Sequence, residues 1–531
     1  MLFGCAPETG DEAEVPGAEI TALAVDPDVA ELHTGPDGGE ALQFGVVATF
    51  ADGKSGRLDA AEWTVSNRTS GTIDETGLFT PSSDNGGITW VTARFDGVEA
   101  NAVVTVVYDE ELVVDGAPTG GFDRRPTETT GLWLYPEDGV NFPRNTPSIQ
   151  FQWNDLGASS YRLRFTAATT DLSVYTTATS WSADEATWAR LVGANAGATL
   201  EVELSAIVGG EVLGEPRRTL NVNRMDGDGT IYYWSTSVSG FLRVPYGGVA
   251  EEYLTATTTG HCVGCHDISP SGAIAFTYDG GNGALGVRDM ATGTDIVPYG
   301  TALLGNFKTY SPDGRYLLTT LNGALLLHDA ATGTFLWEVP VDGEATQVDW
   351  SPDGDSVVVV LTPALSLDWV FTGGRIAVME HHGDGVFGNP RVVYDPAVLG
   401  AGYNAYYPVY SPDGEWIAFN VSTGDSYDDP DANVYVISAE GGDAVPLTAA
   451  NQTDGITNSW PRWGPLPDDS VMWLAFSSKR AYGTITAGAP QIWVAAFDPT
   501  RARAGEDPSW PAFWLPGQDP AQNNHIPLWA D

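Results

Sequence analysis

One short unit, a strand followed by a tight turn and a second strand, recurs through the second half of the chain. Three copies read TYSPDGRYLLTT from Thr309, DWSPDGDSVVVV from Asp349 and VYSPDGEWIAFN from Val409. A fourth, DISPSGAIAFTY, starts at Asp267, and a fifth, PRWGPLPDDSVMWLAFSS, starts at Pro461 with a longer turn. Repeats at a period of about 40 to 50 residues are typical of propellers and solenoids, in which each unit buries its apolar face only against its neighbours.

Each copy is followed by a further strand that ends in a signature such as LLLHDAATG, VYVISAEGG or IWVAAFDP. This layout resembles the blades of TolB-like β-propellers. A shared blade closes the ring, because NNHIPLW supplies an innermost strand and GTIYYWSTSVSGFLRVPYG supplies outer strands, which removes the open sheet edges. We therefore predict a six-bladed propeller over residues 225–531, with five or seven blades as alternatives.

The preceding residues also predict β-structure, because short β-branched or aromatic runs alternate with polar residues and turn pairs. Within 18–108, WTVSNRTSGTIDETGLFTPSSDNGGITWVTARFDG resembles bacterial immunoglobulin-like domains, with Trp63 as an expected core residue. A linker over 109–128 leads into 129–224. There SIQFQWNDLGASSYRLRFTAA resembles a fibronectin type III-like sandwich, and a generic β-sandwich is the alternative. The prediction is all-β: two β-sandwich domains, then the propeller.

Two of the three cysteines lie in GHCVGCHDISPSG, immediately before the first copy of the turn. Cys262, Cys265 and His266 form C-x-x-C-H, the attachment signature of c-type haem, in which two thiols bond to the haem vinyl groups and the histidine becomes the proximal iron ligand. A zinc site would need a fourth ligand, for which His261 is awkwardly close, and a redox C-x-x-C would need a helix start that no pattern here predicts. Both remain alternatives to one covalent haem c.

The turn repeats also predict where this haem lies. Aligning ISPSG with the SPDG copies puts His266 level with Lys308, Val348 and Pro408, at the beginning of the innermost strands. We therefore expect the haem at one mouth of the central channel, held by the first blade.

The candidate distal ligand is His525, which lies in NNHIPLW two residues upstream of the position that matches His266. The sixth blade neighbours the first in a closed ring, so His525 can approach the open face of the haem. His261 and an open or water-bound iron are alternatives, since cytochromes use both His and Met as axial ligands. A methionine is the other alternative, from Met225, Met290, Met379 and Met472.

The first residues and the charge bear on location and partners. LFGC resembles the lipobox of bacterial lipoproteins, which implies a lipidated Cys5 followed by an acidic tether over 1–17 and a periplasmic or cell-surface location. A net charge of −46 argues against nucleic-acid partners and favours a basic redox partner protein. Genome composition or a saline habitat is another source of that charge.

An acidic loop, GDSYDDPDAN, is rich in carboxylates of the kind that bind calcium. It lacks the spacing of an EF-hand, so we predict a solvated acidic loop and keep calcium as the alternative. The carboxylates are those of Asp425, Asp428, Asp429 and Asp431.

The phrases CVGCHDISPSG, WLAFSSKRAYG, QIWVAAFDP and PAFWLPGQDPAQNNHIPLW resemble secreted haem-motif propeller proteins of myxobacteria-like bacteria. That resemblance covers most of the chain and implies a haem site on a propeller, but it implies no particular activity. The sequence therefore predicts an extracytoplasmic, lipid-anchored monohaem c-type cytochrome that transfers single electrons. A haem-dependent, peroxidase-like redox enzyme and an envelope-binding module with a structural haem are the alternatives.

Overall fold

A computed structural model describes residues 19–281, 283–452, 455–465 and 471–530. The predicted lipidation site, Cys5, lies outside them. The described chain forms two compact units. Unit 1 comprises residues up to Thr129 together with Leu156–Ala178 and Ala186–Arg217, and unit 2 comprises Thr130–Asp155, Thr179–Glu185 and Arg218 onward. No helix in these residues is long and apolar enough to cross a membrane.

Unit 1 contains small three-stranded sheets and most of one larger continuous sheet. Its core holds Phe44, Phe79 and Val91, and Trp63, the expected core residue, is half-buried against it. The strands of its first part are β1 (Ile20–Asp26), β2 (Val29–Thr34), β3 (Leu42–Gln43), β4 (Gly45–Phe50), β5 (Ser55–Leu58), β6 (Glu62–Val65), β7 (Gly71–Ile73), β8 (Leu78–Pro81), β9 (Gly87–Phe95), β10 (Val98–Val113) and β11 (Thr127–Glu128).

Residues 130–222 contribute strands to both units. In unit 1, β10 pairs in parallel with β16, which continues its sheet through β15 and β18 to β19. In unit 2, β12, β14 and β17 form a small sheet in which Trp153 is fully buried. The predicted domain boundaries stay predictions. The elements are β12 (Trp133–Tyr135), β13 (Val140–Phe142), β14 (Phe151–Trp153), β15 (Ser160–Ala167), β16 (Thr170–Thr176), β17 (Ser180–Trp181), α1 (Glu185–Ala194), β18 (Thr199–Val208) and β19 (Glu211–Val222).

The rest of unit 2 consists of antiparallel four-stranded sheets that follow one another along the chain. Three short helices connect them: α2 (Ala256–Thr259), α3 (Thr448–Asn451) and α4 (Pro499–Arg503), besides a 3₁₀ turn at Pro396–Val398. The first strands are β20 (Thr230–Ser235), β21 (Gly240–Pro245), β22 (Glu251–Leu254), β23 (Val263–Ile268), β24 (Ala273–Tyr278), β25 (Leu285–Asp289), β26 (Asp295–Val297), β27 (Phe307–Tyr310), β28 (Tyr316–Leu321), β29 (Ala324–Asp329) and β30 (Phe335–Val339).

The remaining strands repeat the pattern. They are β31 (Glu344–Trp350), β32 (Ser356–Thr362), β33 (Leu365–Leu367), β34 (Val370–Phe371), β35 (Arg375–Glu380), β36 (Arg391–Tyr394), β37 (Asn404–Tyr410), β38 (Trp416–Ser422), β39 (Asn433–Ser438), β40 (Val445–Pro446), β41 (Asn458–Trp463), β42 (Met472–Ser478), β43 (Gln491–Phe497), β44 (Phe513–Trp514) and β45 (Asn524–Ala530).

The first strands of these sheets contact one another in sequence, from β23 through β27, β31, β37 and β41 to β45, and β45 contacts β23. Strand β45 also pairs antiparallel with β20, so the sheet β22-β21-β20-β45 joins the start of this region to its end, as the sequence predicts. The second strand of each sheet is almost entirely buried, because neighbouring sheets cover both of its faces. This is the arrangement of a β-propeller.

The repeated SPDG turns form as predicted. In three of them the glycine N–H donates to the serine carbonyl over 2.9–3.0 Å, and the glycine adopts a positive φ of 70–80°, which favours residues without a Cβ. The serine hydroxyl also accepts the N–H that begins the next strand. The Pro-Ser-Gly copy keeps the turn, because Gly272 N–H donates to the Ser269 carbonyl over 2.9 Å.

Acid destabilises this fold in part through His328, which lies on β29. Its side chain is buried, its Nε2 lies 3.1 Å from the Thr319 hydroxyl, and burial lowers its pKa to about 4. The unfolded chain takes up this proton near pH 6.5, so the stability that neutral His328 contributes is complete above that pH and is lost as the pH falls toward 4.

We expect the stability advantage of the wild type over His328→Leu to shrink by about 2–3 kcal/mol between pH 7 and pH 4.5. Urea denaturation at both pH values measures it. His382→Ala, at an exposed histidine, is the matched control and should show no such shrinkage. An unchanged gap for His328→Leu would contradict the prediction.

Candidate functional site

The innermost strands share one irregularity at a common position. Five of them place a residue there at a positive φ of 40–60°, within a β-bulge or register shift that lets two residues of one strand oppose one of the next. The residues are Cys265, Gln347, Tyr407, Trp460 and Ile526. In β23 this bulge breaks the regular alternation of side chains at Cys265. It thereby sets the direction of the second cysteine of the motif.

Cavities follow the innermost strands from their beginnings to their ends. The mouth cavity, of about 650 Å³, is lined near the strand beginnings by Cys265, Gly264 and Asn306. The channel cavity, of about 390 Å³, is lined further along by Cys265 and His266. Cys265 therefore lies between the two spaces.

The mouth cavity is walled mainly by aromatic and apolar groups. Its lining includes Trp234 from β20, Trp369 from the turn between β33 and β34, Trp460 from β41, Tyr427 and Ile526. Cofactor sites have such apolar walls. The lining of the mouth cavity is therefore apolar enough for a flat aromatic cofactor.

The predicted register of His266 is confirmed, because the channel cavity is lined by His266, Lys308, Val348 and Pro408 together. His266 is 7% exposed, and its ring lies 4.3 Å from that of Phe241. Neither of its ring nitrogens forms a hydrogen bond of good geometry, although the Tyr232 backbone acts on the ring as an acceptor. Burial, with the positive charges of Lys308 and Arg462 nearby, lowers its pKa to about 3, so the imidazole is neutral and has a free lone pair at neutral pH.

The two thiols are free, and neither has a lowered pKa. Burial raises the pKa of both Cys262 and Cys265, the first with help from the Asp279 carboxylate. Redox dithiols and nucleophilic cysteines have lowered pKa values, because the thiolate is the reactive form. The arrangement does not favour the redox C-x-x-C alternative.

Two buried ionisable side chains beside the motif form hydrogen bonds to neighbouring strands in the channel wall. Lys308 Nζ donates to the Cys265 carbonyl, and burial lowers the Lys308 pKa to about 8. Asp267 accepts the Tyr310 N–H over 2.9 Å, and burial raises its pKa to about 6. These contacts tie β23 to β27 on either side of His266, so the motif is held by the neighbouring strand.

The structure places the candidate distal ligand, His525, beside the mouth cavity. Its ring lies 6.4 Å from that of Trp234 and 5.9 Å from that of Trp460, and both tryptophans line the cavity. His525 Nδ1 is buried without a partner, and burial lowers the pKa of the ring to about 4. His525 is thus a second neutral imidazole near Cys265.

The other candidate ligands are engaged elsewhere. His261 Nδ1 lies 3.0 Å from Asp279 Oδ2, and its ring stacks on Tyr299 at 3.8 Å. Met379 and Met472 are buried in the strands β35 and β42. Met290, expected in a strand, lies in the turn after β25, and Met225 lies outside the strands in the segment before β20.

No group of three or more His, Cys, Asp or Glu side chains is arranged to hold a metal ion in the part of the chain that the structure describes. The zinc alternative therefore lacks a ligand set. In the acidic loop, Asp428 pairs with Lys479, Asp425 accepts the Tyr427 N–H and Asp429 accepts the Asp431 N–H. A covalent haem needs no such cluster, because its porphyrin supplies four of the iron ligands.

The residues present fit a c-type haem by their donors. One thiol of the motif lines the aromatic cavity, a second thiol lies three residues away, and the adjacent buried imidazole, which lines the channel cavity, has no hydrogen bond of good geometry. Sequence reasoning missed the aromatic walls, which come from four separate segments. Trp460 was within reach, since it occupies the position of Cys265 in the fifth repeat.

The sheets thus define a β-propeller protein. The chain is similar to TolB from Acinetobacter baumannii, at 17% identity and a TM-score of 0.38, over 62% of this chain and 79% of that one. It is similar to a putative TolB from Agrobacterium tumefaciens, at 16% and 0.34, over 55% and 89%. The Myceliophteria thermophila Cps50 (Swd1) beta-propeller domain matches at 14% and 0.27, over 49% and 87%. These likenesses concern the fold alone.

No family model and no curated protein sequence matches the chain.

Proposed function

We propose that this protein is a monohaem c-type cytochrome built on a six-bladed β-propeller, and that it transfers single electrons. One observation carries the proposal: the C-x-x-C-H motif puts Cys265 in the wall of an aromatic cavity and leaves the buried His266 imidazole without a hydrogen bond of good geometry, although the Tyr232 backbone acts on the ring as an acceptor. A buried polar group left without a partner is costly, and iron ligation would relieve that cost.

Each residue has a distinct part in this proposal. Cys262 and Cys265 would hold the haem through thioether bonds, and His266 would be the proximal ligand. The bound haem would supply a one-electron iron couple. Trp234 and Trp460 would exclude water from it, and such burial is one of the means by which a protein sets haem potential. The inter-strand bonds of Lys308 and Asp267 would keep β23 in place.

The setting of the haem follows from its chemistry. Covalent attachment of this kind is made outside the cytoplasm, which agrees with a periplasmic or cell-surface protein anchored through a lipidated Cys5. The two domains before the propeller would act as immunoglobulin-like and fibronectin type III-like spacers. The net charge of −46 would favour a basic redox partner, because complementary charge speeds encounter.

The test is a spectrum of the full chain matured with the c-type attachment machinery. We expect a pyridine haemochrome of the c type, haem that stays with the chain on denaturing gels, and a reversible change on reduction with dithionite. Protein that matures without covalent haem would overturn the proposal. A native high-spin spectrum would favour the redox-enzyme alternative instead.

His525 is proposed as the distal ligand, and His525→Ala tests it. We expect the wild-type haem to be low-spin and the variant to be high-spin, because removal of one axial ligand weakens the ligand field. His382→Ala, at an exposed histidine on the far side of β35, should leave the spectrum unchanged. A low-spin His525→Ala protein would transfer the role to His261 or a methionine.

A further inference from the structure

A third cavity lies at the opposite ends of the innermost strands. It has a volume of about 710 Å³, and its lining comes from the ends of β31, β37, β41 and β45 and from the turns that follow them. We call it the far cavity. Its lining includes Trp350, Tyr410, Trp463 and Trp529, whose rings are largely buried between the sheets, with Pro352 and Pro412 from two SPDG turns at its rim.

Arg462 stands at the floor of the far cavity. It lines both this cavity and the channel cavity, so its side chain lies where the two spaces meet. Among the described residues its guanidinium makes one hydrogen bond, from Nη1 to the Pro461 carbonyl at 3.3 Å. No carboxylate within the described residues comes into ion-pair distance of its guanidinium, although acidic residues outnumber basic ones almost threefold.

One acidic side chain, Asp349, also lines the far cavity. Its Oδ2 accepts the Tyr410 N–H over 2.9 Å, which fixes the carboxyl group to the wall. Burial raises its pKa to about 7, although Arg462 acts in the opposite direction. A carboxyl group that is partly protonated at neutral pH leaves much of the Arg462 charge uncompensated.

We propose that the far cavity binds an organic carboxylate with an apolar body. A guanidinium presents parallel N–H donors that match the two oxygens of a carboxylate, and such charge-assisted pairs are strong where water is limited. The aromatic walls would pack the apolar body, and indole and phenol rings supply large, rigid contact surfaces. A small organic acid and the carboxyl end of a peptide share this chemistry.

The test uses the full chain, with and without haem, and three probes: 3-phenylpropionate, its uncharged isostere 3-phenylpropionamide, and acetyl-Ala-Phe with a free carboxyl end. Calorimetry at 150 mM salt measures the affinities, and tryptophan fluorescence reports occupancy. We expect both acids to bind and the amide to bind at least about 10-fold more weakly, since a charged hydrogen-bond pair is lost. The tighter of the two acids identifies the source.

Arg462→Gln should weaken acid binding by about 10- to 100-fold and leave amide binding unchanged. Arg68→Gln, at an exposed arginine of unit 1, changes the net charge equally and should have no effect. Asp349→Asn should instead strengthen acid binding about 3- to 10-fold, because it removes a repelling carboxyl group but keeps a hydrogen-bond acceptor.

Opposite signs at Arg462 and Asp349 cannot arise from misfolding alone. Absence of binding by either acid, equal binding of acid and amide, or an unaffected Arg462→Gln would each overturn the proposal. Since binding is measured also without haem, failure here leaves the cytochrome proposal intact, and failure of haem attachment leaves this one testable.

Discussion

Under the proposed function, we expect that replacing Cys262 and Cys265 together with alanine abolishes covalent haem, so that the haem that stays with the denatured chain falls by more than about 50-fold. The thioether bonds of a c-type haem need both thiols at this spacing, and Cys265 is the thiol that lines the mouth cavity. Haem-stained denaturing gels and the pyridine haemochrome assay measure the loss against total protein. The far-ultraviolet circular dichroism should keep its β character.

Cys5→Ala is the matched control, because it removes the remaining cysteine and should leave haem attachment unchanged. Covalent haem retained in the double variant would contradict the assignment of the motif. A double variant that unfolds entirely, as judged by circular dichroism, would instead point to the alternative in which the haem is a structural staple.

His266→Phe is expected to act in opposite directions on the two forms of the protein. Without haem, phenylalanine removes a buried imidazole whose nitrogens form no hydrogen bond of good geometry and keeps a ring against Phe241, so the free energy of unfolding should rise by about 1 kcal/mol. With haem, the proximal ligand is lost, the iron becomes high-spin and the protein loses stability.

Urea denaturation of both forms and the visible spectrum measure this reversal. His382→Ala should change neither, since that histidine is exposed. A haem-loaded His266→Phe protein that keeps its low-spin spectrum would show that another residue is the proximal ligand. A large loss of stability without haem would show that the imidazole has a structural partner.

The repeated turns made much of the propeller predictable. Each SPDG copy contains the residues that form its own turn. The serine accepts hydrogen bonds from two backbone N–H groups, and the glycine tolerates a positive φ. Because the copies can be aligned, the level of His266 with Lys308, Val348 and Pro408 follows from the sequence. The pairing of β45 with β20 follows from the need to remove sheet edges.

The walls of the site were not predictable in the same way. Trp369 and Tyr427 lie on connections between strands, where no repeat constrains their position. The positive φ of Cys265 depends on a bulge, and the sequence does not mark its place, because the glycine of this strand, Gly264, precedes the residue that takes the positive φ. Arg462 was overlooked because the fifth copy departs from SPDG. Whether its charge is left without an ion pair depends on which carboxylates the fold brings near the guanidinium.

The pairing of β45 with β20 also sets an order of events during the synthesis and folding of the protein. Synthesis from the amino end makes β20, Trp234 and the C-x-x-C-H motif available well before His525 and β45. During that interval the ring cannot close, and under the proposed function the two thiols would be accessible to the enzymes that attach haem. Pairing of the last strand, β45, with β20 would then close the ring around the cofactor.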